Sequence, residues 1–332
     1  MGIPIEPSRN LTARDGITIK KGGHAHCTAE SRVQLSSMAT TALTTAFLMH
    51  TLSRKNRLSL SKGTDPVMLA RFNSLSVLAF ECHTSIGRVH AQPSIAYVRR
   101  GSMTYRPWGQ GLDLVPGSVL VGRPGIEYVC AHEAGVSGIG LSFRFAPELV
   151  DATGHAWIPA HIDCLPPVAE LAVLGELAHS VIEGKADVGL DEIGVLLAHR
   201  LAAVTRNWSE PRREPSLRHR RRVVEVALWI DAHSADPIDL QTTAYLADMS
   251  QFHFLRVFTG VIGITPHQYL IQCRLRRAAS LLADSVQSIT DIALDVGFND
   301  LSNFVKSFHR AAGASPRHFR ESARRKRSLT RR

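Results

Sequence analysis

Two groups of side chains in this 332-residue sequence have types and spacings that could do chemistry. The first is Cys82, His83, His90, Cys130 and His132, all of them ligands for soft metals. On a strand, Cys130 and His132 would share one face, where a thiolate and an imidazole could hold zinc. No second pair stands at metal spacing, and a catalytic metal in a β-barrel would need three or four converging His or Glu ligands. The expectation is therefore a buried cysteine beside a surface histidine, with no metal, no cofactor and no enzyme. A cysteine-based sensor is another option, and it requires an exposed thiol of low pKa. The second group is Arg256, Asn303 and Lys306, whose donors suit base edges and phosphates.

Charge favours the second chemistry. The net charge is +10, yet residues 206–332 alone carry 21 Lys+Arg against 12 Asp+Glu. Residues 1–205 are nearly balanced, at 18 against 17. A basic segment attached to a neutral one is the pattern of a domain that meets a polyanion. The five cysteines (Cys27, Cys82, Cys130, Cys164 and Cys273) are odd in number, scattered, and form no CxxC pair, which argues against a disulfide framework or zinc ribbon. No apolar run approaches the roughly 20 residues of a membrane span. No basic patch followed by an apolar core opens the chain, so a signal peptide is not expected and a cytoplasmic location is.

The elements that must position these residues fall into blocks. Residues 1–66 are rich in Ser and Thr without a sustained period; a poorly ordered extension is expected, with one short helix over Ala42–Leu52. Met38, Met49 and Met68 are alternative initiators. Residues 67–160 alternate short apolar runs with Gly and Pro. The runs are Ser76–Cys82, Ser94–Arg99, Ser102–Pro107, Leu112–Val115, Ser118–Gly122, Glu127–Ala131 and Gly138–Phe145, a barrel or sandwich pattern. Pro116-Gly117 and Pro124-Gly125 mark turns. Residues 161–208 change to helical period, with Val168, Leu171, Leu174, Leu177, Ala178 and Val181, then Ile193, Leu196, Leu197, Leu201 and Val204. These two helices are expected to dimerise the protein, although packing on their own barrel would use the same stripes. Residues 209–219 read as a linker.

Residues 220–322 contain one pattern twice. Phe254, Arg256, Phe258, Gly263, Pro266 and Tyr269 recur as Phe304, Lys306, Phe308, Gly313, Pro316 and Phe319, each 50 residues later. Before the turn, Asp239-Leu240 and Ala244 recur as Ser288-Ile289 and Ala293 at an offset of 49. Each copy predicts helix, turn, helix. Asp239, Ser250, Ser288 and Asn299 or Asp300 are the expected N-caps, and Gly263 and Gly313 the stops. Thr265-Pro266 and Ser315-Pro316 restart a helix. Between the copies, Gln268–Leu282 predicts a longer helix with Leu270, Leu275, Ala278, Leu281 and Leu282 inward. Arg274, Arg276 and Arg277 are left for solvent or phosphate. Residues 323–332 form a basic tail.

The segment SITDIALDVGFNDLSNFVKSFHRAAGASPRHFR resembles the signature of the AraC/XylS family of transcription regulators. The resemblance covers about 100 residues. It implies seven helices with two helix-turn-helix units joined by the long helix. Thr243 departs from the pattern where a core leucine is common, and Thr259-Gly260 replaces polar or basic residues. A weaker resemblance, to the family's cupin-like half, is carried by Gly101, the run Leu114–Leu120, and Phe143, Phe145, Pro147 and Glu148. The expected fold class is thus α+β: a cupin-like β-barrel with two following helices, then an all-α domain.

These resemblances imply a regulator, expected to activate, that binds double-stranded DNA, works with RNA polymerase, acts as a homodimer and takes a small-molecule effector in its first domain. The alternative is a cupin-type metal enzyme or cysteine sensor fused to the same DNA-binding domain. Helical phase selects the DNA-facing residues. In the first unit they are Ser250, Gln251, Phe252, Leu255 and Arg256, opposite Phe254, Val257, Phe258 and Val261. In the second they are Ser302, Asn303, Lys306 and Arg310, opposite Leu301, Phe304 and Phe308.

Overall fold

The computed structural model describes residues 66–82, 86–107, 111–131, 137–153, 162–206 and 216–324. The expected N-terminal extension (apart from Pro66), most of the linker, and the basic tail beyond Arg324 lie outside these residues. All described elements belong to one compact unit.

Among the described residues, ten antiparallel strands form two sheets. In chain order they are β1 (Val67–Arg71), β2 (Leu75–Cys82), β3 (Ile86–Val89), β4 (Ser94–Arg100), β5 (Met103–Pro107), β6 (Leu112–Leu114), β7 (Val119–Gly122), β8 (Glu127–Ala131), β9 (Gly138–Phe145) and β10 (Cys164–Leu165). One sheet has the order β1-β2-β9-β4-β7-β10 and the other β3-β8-β5-β6. The seven strands expected from the apolar runs are present to within a residue or so at each end. Three more, β1, β3 and β10, are not among the expected runs: β3 and β10 are too short to show a pattern, and β1 is an apolar run, Val67–Ala70, just ahead of the first one selected. The ladders remain two sheets, and among the described residues no pairing closes them into one barrel.

The larger sheet is covered on both faces, which is why β4 and β7 are buried almost throughout. Along β4, Ile95 and Tyr97 face a helical layer while Ala96 and Val98 face the smaller sheet. The helical layer contains α1 (Pro147–Thr153), α2 (Ala169–Ile182) and α3 (Leu190–Thr205). Leu171, Ala172, Val173 and Ala178 of α2 are buried within the chain, and so are Ile193, Leu197 and Leu201 of α3. The apolar stripes assigned to dimerisation are therefore used mainly inside one chain; α3 still leaves Val195 and Leu196 exposed.

Seven helices follow: α4 (Leu217–Ala232), α5 (Leu240–Leu246), α6 (Gln251–Ile262), α7 (Pro266–Asp284), α8 (Ile289–Asp295), α9 (Leu301–Ala312) and α10 (Pro316–Arg324). The end of the expected linker is thus the first turn of α4. The caps form as the residue types require. Asp239, Ser250, Thr265, Ser288 and Asp300 accept backbone N–H bonds at the starts of α5 to α9, and Thr265 with Gln268 makes a full capping box. Gly263 and Gly313 end α6 and α9 at φ +87° and +72°, where a Cβ would be strained.

The helix α7 divides two cores. Its first half places Tyr269, Leu270 and Cys273 against Phe254, Phe258 and Ile230. Its second half places Leu275, Ala278, Ala279 and Leu282 in a larger core with Ile292, Phe304, Phe308 and residues of α2 and the large sheet.

Candidate nucleic-acid interface

Each helix-turn-helix unit presents its second helix, α6 or α9, with one side anchored. In α6, Phe254, Val257, Phe258 and Ile262 are buried. Ser250, Gln251, Phe252 and Arg256 are exposed, with Phe252 at 77%, and Leu255 is half-buried. In α9, Phe304, Phe308 and Ala311 are buried, while Ser302, Asn303, Lys306 and Arg310 are exposed. All nine selected residues thus lie away from the centres of their cores, with Leu255 the most covered. Two orientations differ from expectation. Leu301 is exposed because it opens α9, ahead of the first buried turn. Val261 is only half-buried, and Ile262 takes the core position.

Several of these groups are already held. The Ser250 hydroxyl accepts from His253 N at 3.4 Å as the cap of α6. Arg256 meets the His253 ring at 3.1 Å, which steers its guanidinium along the outer face of α6. Asp300 accepts from the backbone N–H groups of Ser302 and Asn303, both at 3.0 Å, so its charge fixes the start of α9. The Asn303 carboxamide oxygen accepts from Ser307 at 3.4 Å and leaves its NH2 group outward. Exposed Tyr245 on α5 and Arg317 on α10 were not selected from the sequence. Both stand on helices other than the two from which the DNA-facing residues were selected.

The largest correction concerns α7. Arg276 does not face solvent or phosphate: it is 7% exposed. Its Nη1 lies 3.3 Å from Asp231, its Nε 3.7 Å from Glu176, and its Nη2 donates to the Arg99 carbonyl at 3.2 Å. Arg274 also turns inward, donating to the carbonyls of Ser234 and Asp236. Arg277 alone of the three is exposed. Around Glu176 the Tyr97 hydroxyl donates at 2.8 Å and Arg99 Nε at 3.2 Å, and Arg99 also reaches Glu183 at 2.7 Å. Beside them, burial and then the Arg99 charge push the His179 imidazole down to about 3.

Cys82, His90 and Cys130 line one cavity between the sheets, together with Tyr128. His83 and His132 lie outside the described residues, among which no three His, Cys, Asp or Glu side chains group as a metal site. The His90 ring stacks on Tyr128 at 4.1 Å and shares a 3.0 Å hydrogen bond with the Tyr105 hydroxyl. The hydrogen bond from Cys82 and burial both push the Cys130 thiol up, opposite to a reactive thiol. Among the described residues no helix is long and apolar enough to cross a membrane.

Comparison with known proteins agrees with the repeated unit. A helix-turn-helix domain family matches residues 244–322. The HTH-type transcriptional activator RhaS of Shigella boydii is 37% identical over 93 residues, covering 28% of this chain and 34% of that protein. The uncharacterized HTH-type transcriptional regulator YbfI of Bacillus subtilis is 27% identical over 223 residues, 63% of this chain and 77% of its own. Among solved structures, the DNA-binding domain of AdpA in complex with a target DNA is 31% identical, with a TM-score of 0.31, covering 36% of this chain and 98% of that one. The matches to the first curated relatives span about a third of their length.

Proposed function

Residues 244–322 belong to the AraC-type helix-turn-helix family, and from that premise we propose that the whole chain is a sequence-specific transcription regulator. One observation carries the reading: two capped helices, α6 and α9, each anchor phenylalanines inward and set polar and basic side chains outward, with α7 holding both. In this reading α6 and α9 enter successive major-groove segments on one face of the duplex. Arg256 forks onto guanine and Asn303 pairs with adenine, while Lys306 and Arg310 add phosphate attraction. Ser250, Gln251, Phe252, Leu255 and Ser302 complete the two contact faces.

The finer parts of the proposal rest on the first domain. It is a cupin-like two-sheet domain that holds a small-molecule effector in its internal cavity and has no catalytic role. The protein activates transcription with RNA polymerase in the cytoplasm. It pairs as a homodimer, for which the exposed Val195 and Leu196 of α3 supply an apolar face.

Selection of duplexes from a random pool with the full chain tests the central claim. The expected product is a site with two short blocks about one helical turn apart, bound with an affinity that falls linearly in log salt. Equal affinity for selected and random duplexes would overturn it.

A further inference from the structure

The cavity between the sheets carries a charge that a purely structural gap would not. Its volume of about 100 Å³ has room for on the order of seven ordered waters, or an organic molecule of about that many heavy atoms. Strand register builds a polar patch on one wall. Arg144 of β9 lies directly across from Ser94 of β4, and Ser142 lies across from Ala96. Because side chains alternate along a strand, Ser142 and Arg144 share the face turned into the cavity. Phe80 of β2 and Leu120 of β7 flank that patch on the same sheet, and Met103 of β5, with Tyr128 and Cys130 of β8, faces it from the smaller one.

A guanidinium inside a domain is costly unless an anion compensates it. Among the described residues no carboxylate pairs with Arg144. Its charge is felt across the cavity: burial, then Arg144, then Arg123 lower the His90 pKa to about 4, so the imidazole is neutral near pH 7. Arg88 and Glu81 also line the cavity, with opposite charges and with interactions of their own. The lining therefore presents one net positive charge. A monoanion would neutralise it, whereas a dianion would leave an uncompensated charge in the interior.

We propose that this cavity binds a small organic monocarboxylate, its carboxylate paired with Arg144 between the hydroxyls of Ser94 and Ser142, and its apolar body against Phe80, Met103 and Leu120. The proposal rests on the reading that the sheet domain holds an effector, and it names the chemical class of that effector. The planar guanidinium fork gives a carboxylate two parallel charged hydrogen bonds and gives a neutral amide at most one acceptor.

Calorimetric titration of the full-length chain with benzoate, benzamide, hexanoate and hexanamide tests it. At least one acid should bind about tenfold or more tighter than its amide, by the difference between charged and neutral hydrogen bonds. Arg144→Leu should remove that preference, and Arg144→Lys should restore part of it. Comparing acid with amide on the wild-type chain keeps the test independent of whether either variant folds. Equal binding of acid and amide, or acid binding that survives Arg144→Leu, overturns the carboxylate assignment and leaves effector control standing. No binding of any probe at about 10 mM, a concentration that reports even millimolar affinity, overturns the site. DNA affinity measured with and without the bound acid separates the two readings. Acid binding lost in Arg144→Leu, with no change in DNA affinity, supports the site and sinks effector control.

Discussion

Arg276 and Glu176 approach to 3.7 Å, both buried, although one lies on the helix joining the two DNA-binding units and the other on the helix behind the large sheet. Tyr97 and Arg99 of β4 hold the same carboxylate from the sheet side, and Asp231 of α4 holds the same guanidinium from the other. The strand β4 thus has one face on the cavity and the other on a charge cluster that reaches α7. The cluster ties the position of the shared helix to the sheet.

Breaking that cluster from either end should be expensive, because the partner charge stays buried and unpaired. Glu176→Gln and Arg276→Met are each expected to cost about 3–5 kcal/mol in urea denaturation. The double variant should cost less than the sum, since neither partner is then left stranded. Strict additivity would show that the two residues do not depend on each other.

Stability should fall with acidification earlier than carboxylate titration alone would require. His179 and His90 titrate at about 3 and about 4 in the folded chain, against 6.5 ordinarily, chiefly because burial disfavours the charged ring. Below pH 6.5 the unfolded chain therefore binds protons that the folded chain refuses. Their contribution is complete above about pH 6.5 and is lost progressively as pH drops toward 4 and then 3. The two displacements are worth on the order of 3 kcal/mol for His90 and about 5 kcal/mol for His179 over that window. His179→Gln should flatten the melting-temperature profile between pH 6.5 and 5, and an unchanged slope would contradict the assignment.

The two helix-turn-helix units should divide labour between reading and anchoring. Asn303→Ala is expected to weaken the selected site by about 1–3 kcal/mol and to relax preference at one base. Arg310, in the last turn of α9, should act on phosphate. Arg310→Ala should weaken all duplexes alike and reduce the salt slope by about one. Equal loss on selected and random DNA in Asn303→Ala would make Asn303 a backbone contact and leave base choice to Arg256.

The start of α9 depends on Asp300, which accepts two backbone N–H bonds. Asp300→Ala should cost about 1 kcal/mol in thermal unfolding and loosen the turn that aims Ser302 and Asn303. Asp300→Asn, which keeps the acceptor, should recover most of the loss. If both variants melt alike and below wild type, charge on the helix end matters more than the cap bond.

Local rules were enough for the repeated domain. Caps such as Ser288 and Thr265, stops such as Gly263 and Gly313, and the phase that turns Phe304 inward and Asn303 outward each depend on a few neighbouring residues. Alternation and turn residues likewise located seven of the eight described strands from Leu75 to Phe145, because a strand of five or six positions announces itself, whereas the four-residue β3 does not. Strand order, and the resulting two sheets, depend on which ladders pair across long separations, which no local pattern encodes. The same holds for Arg276. On its own helix it is one of three arginines with similar claims to solvent, and nothing nearby in sequence marks it as different. Only packing of α7 against α2 and α4 brings Glu176 and Asp231 to it and turns an apparent phosphate contact into the centre of a buried charge cluster. Burial of a charge is a property of its partners, and these partners come from elements distant in the chain.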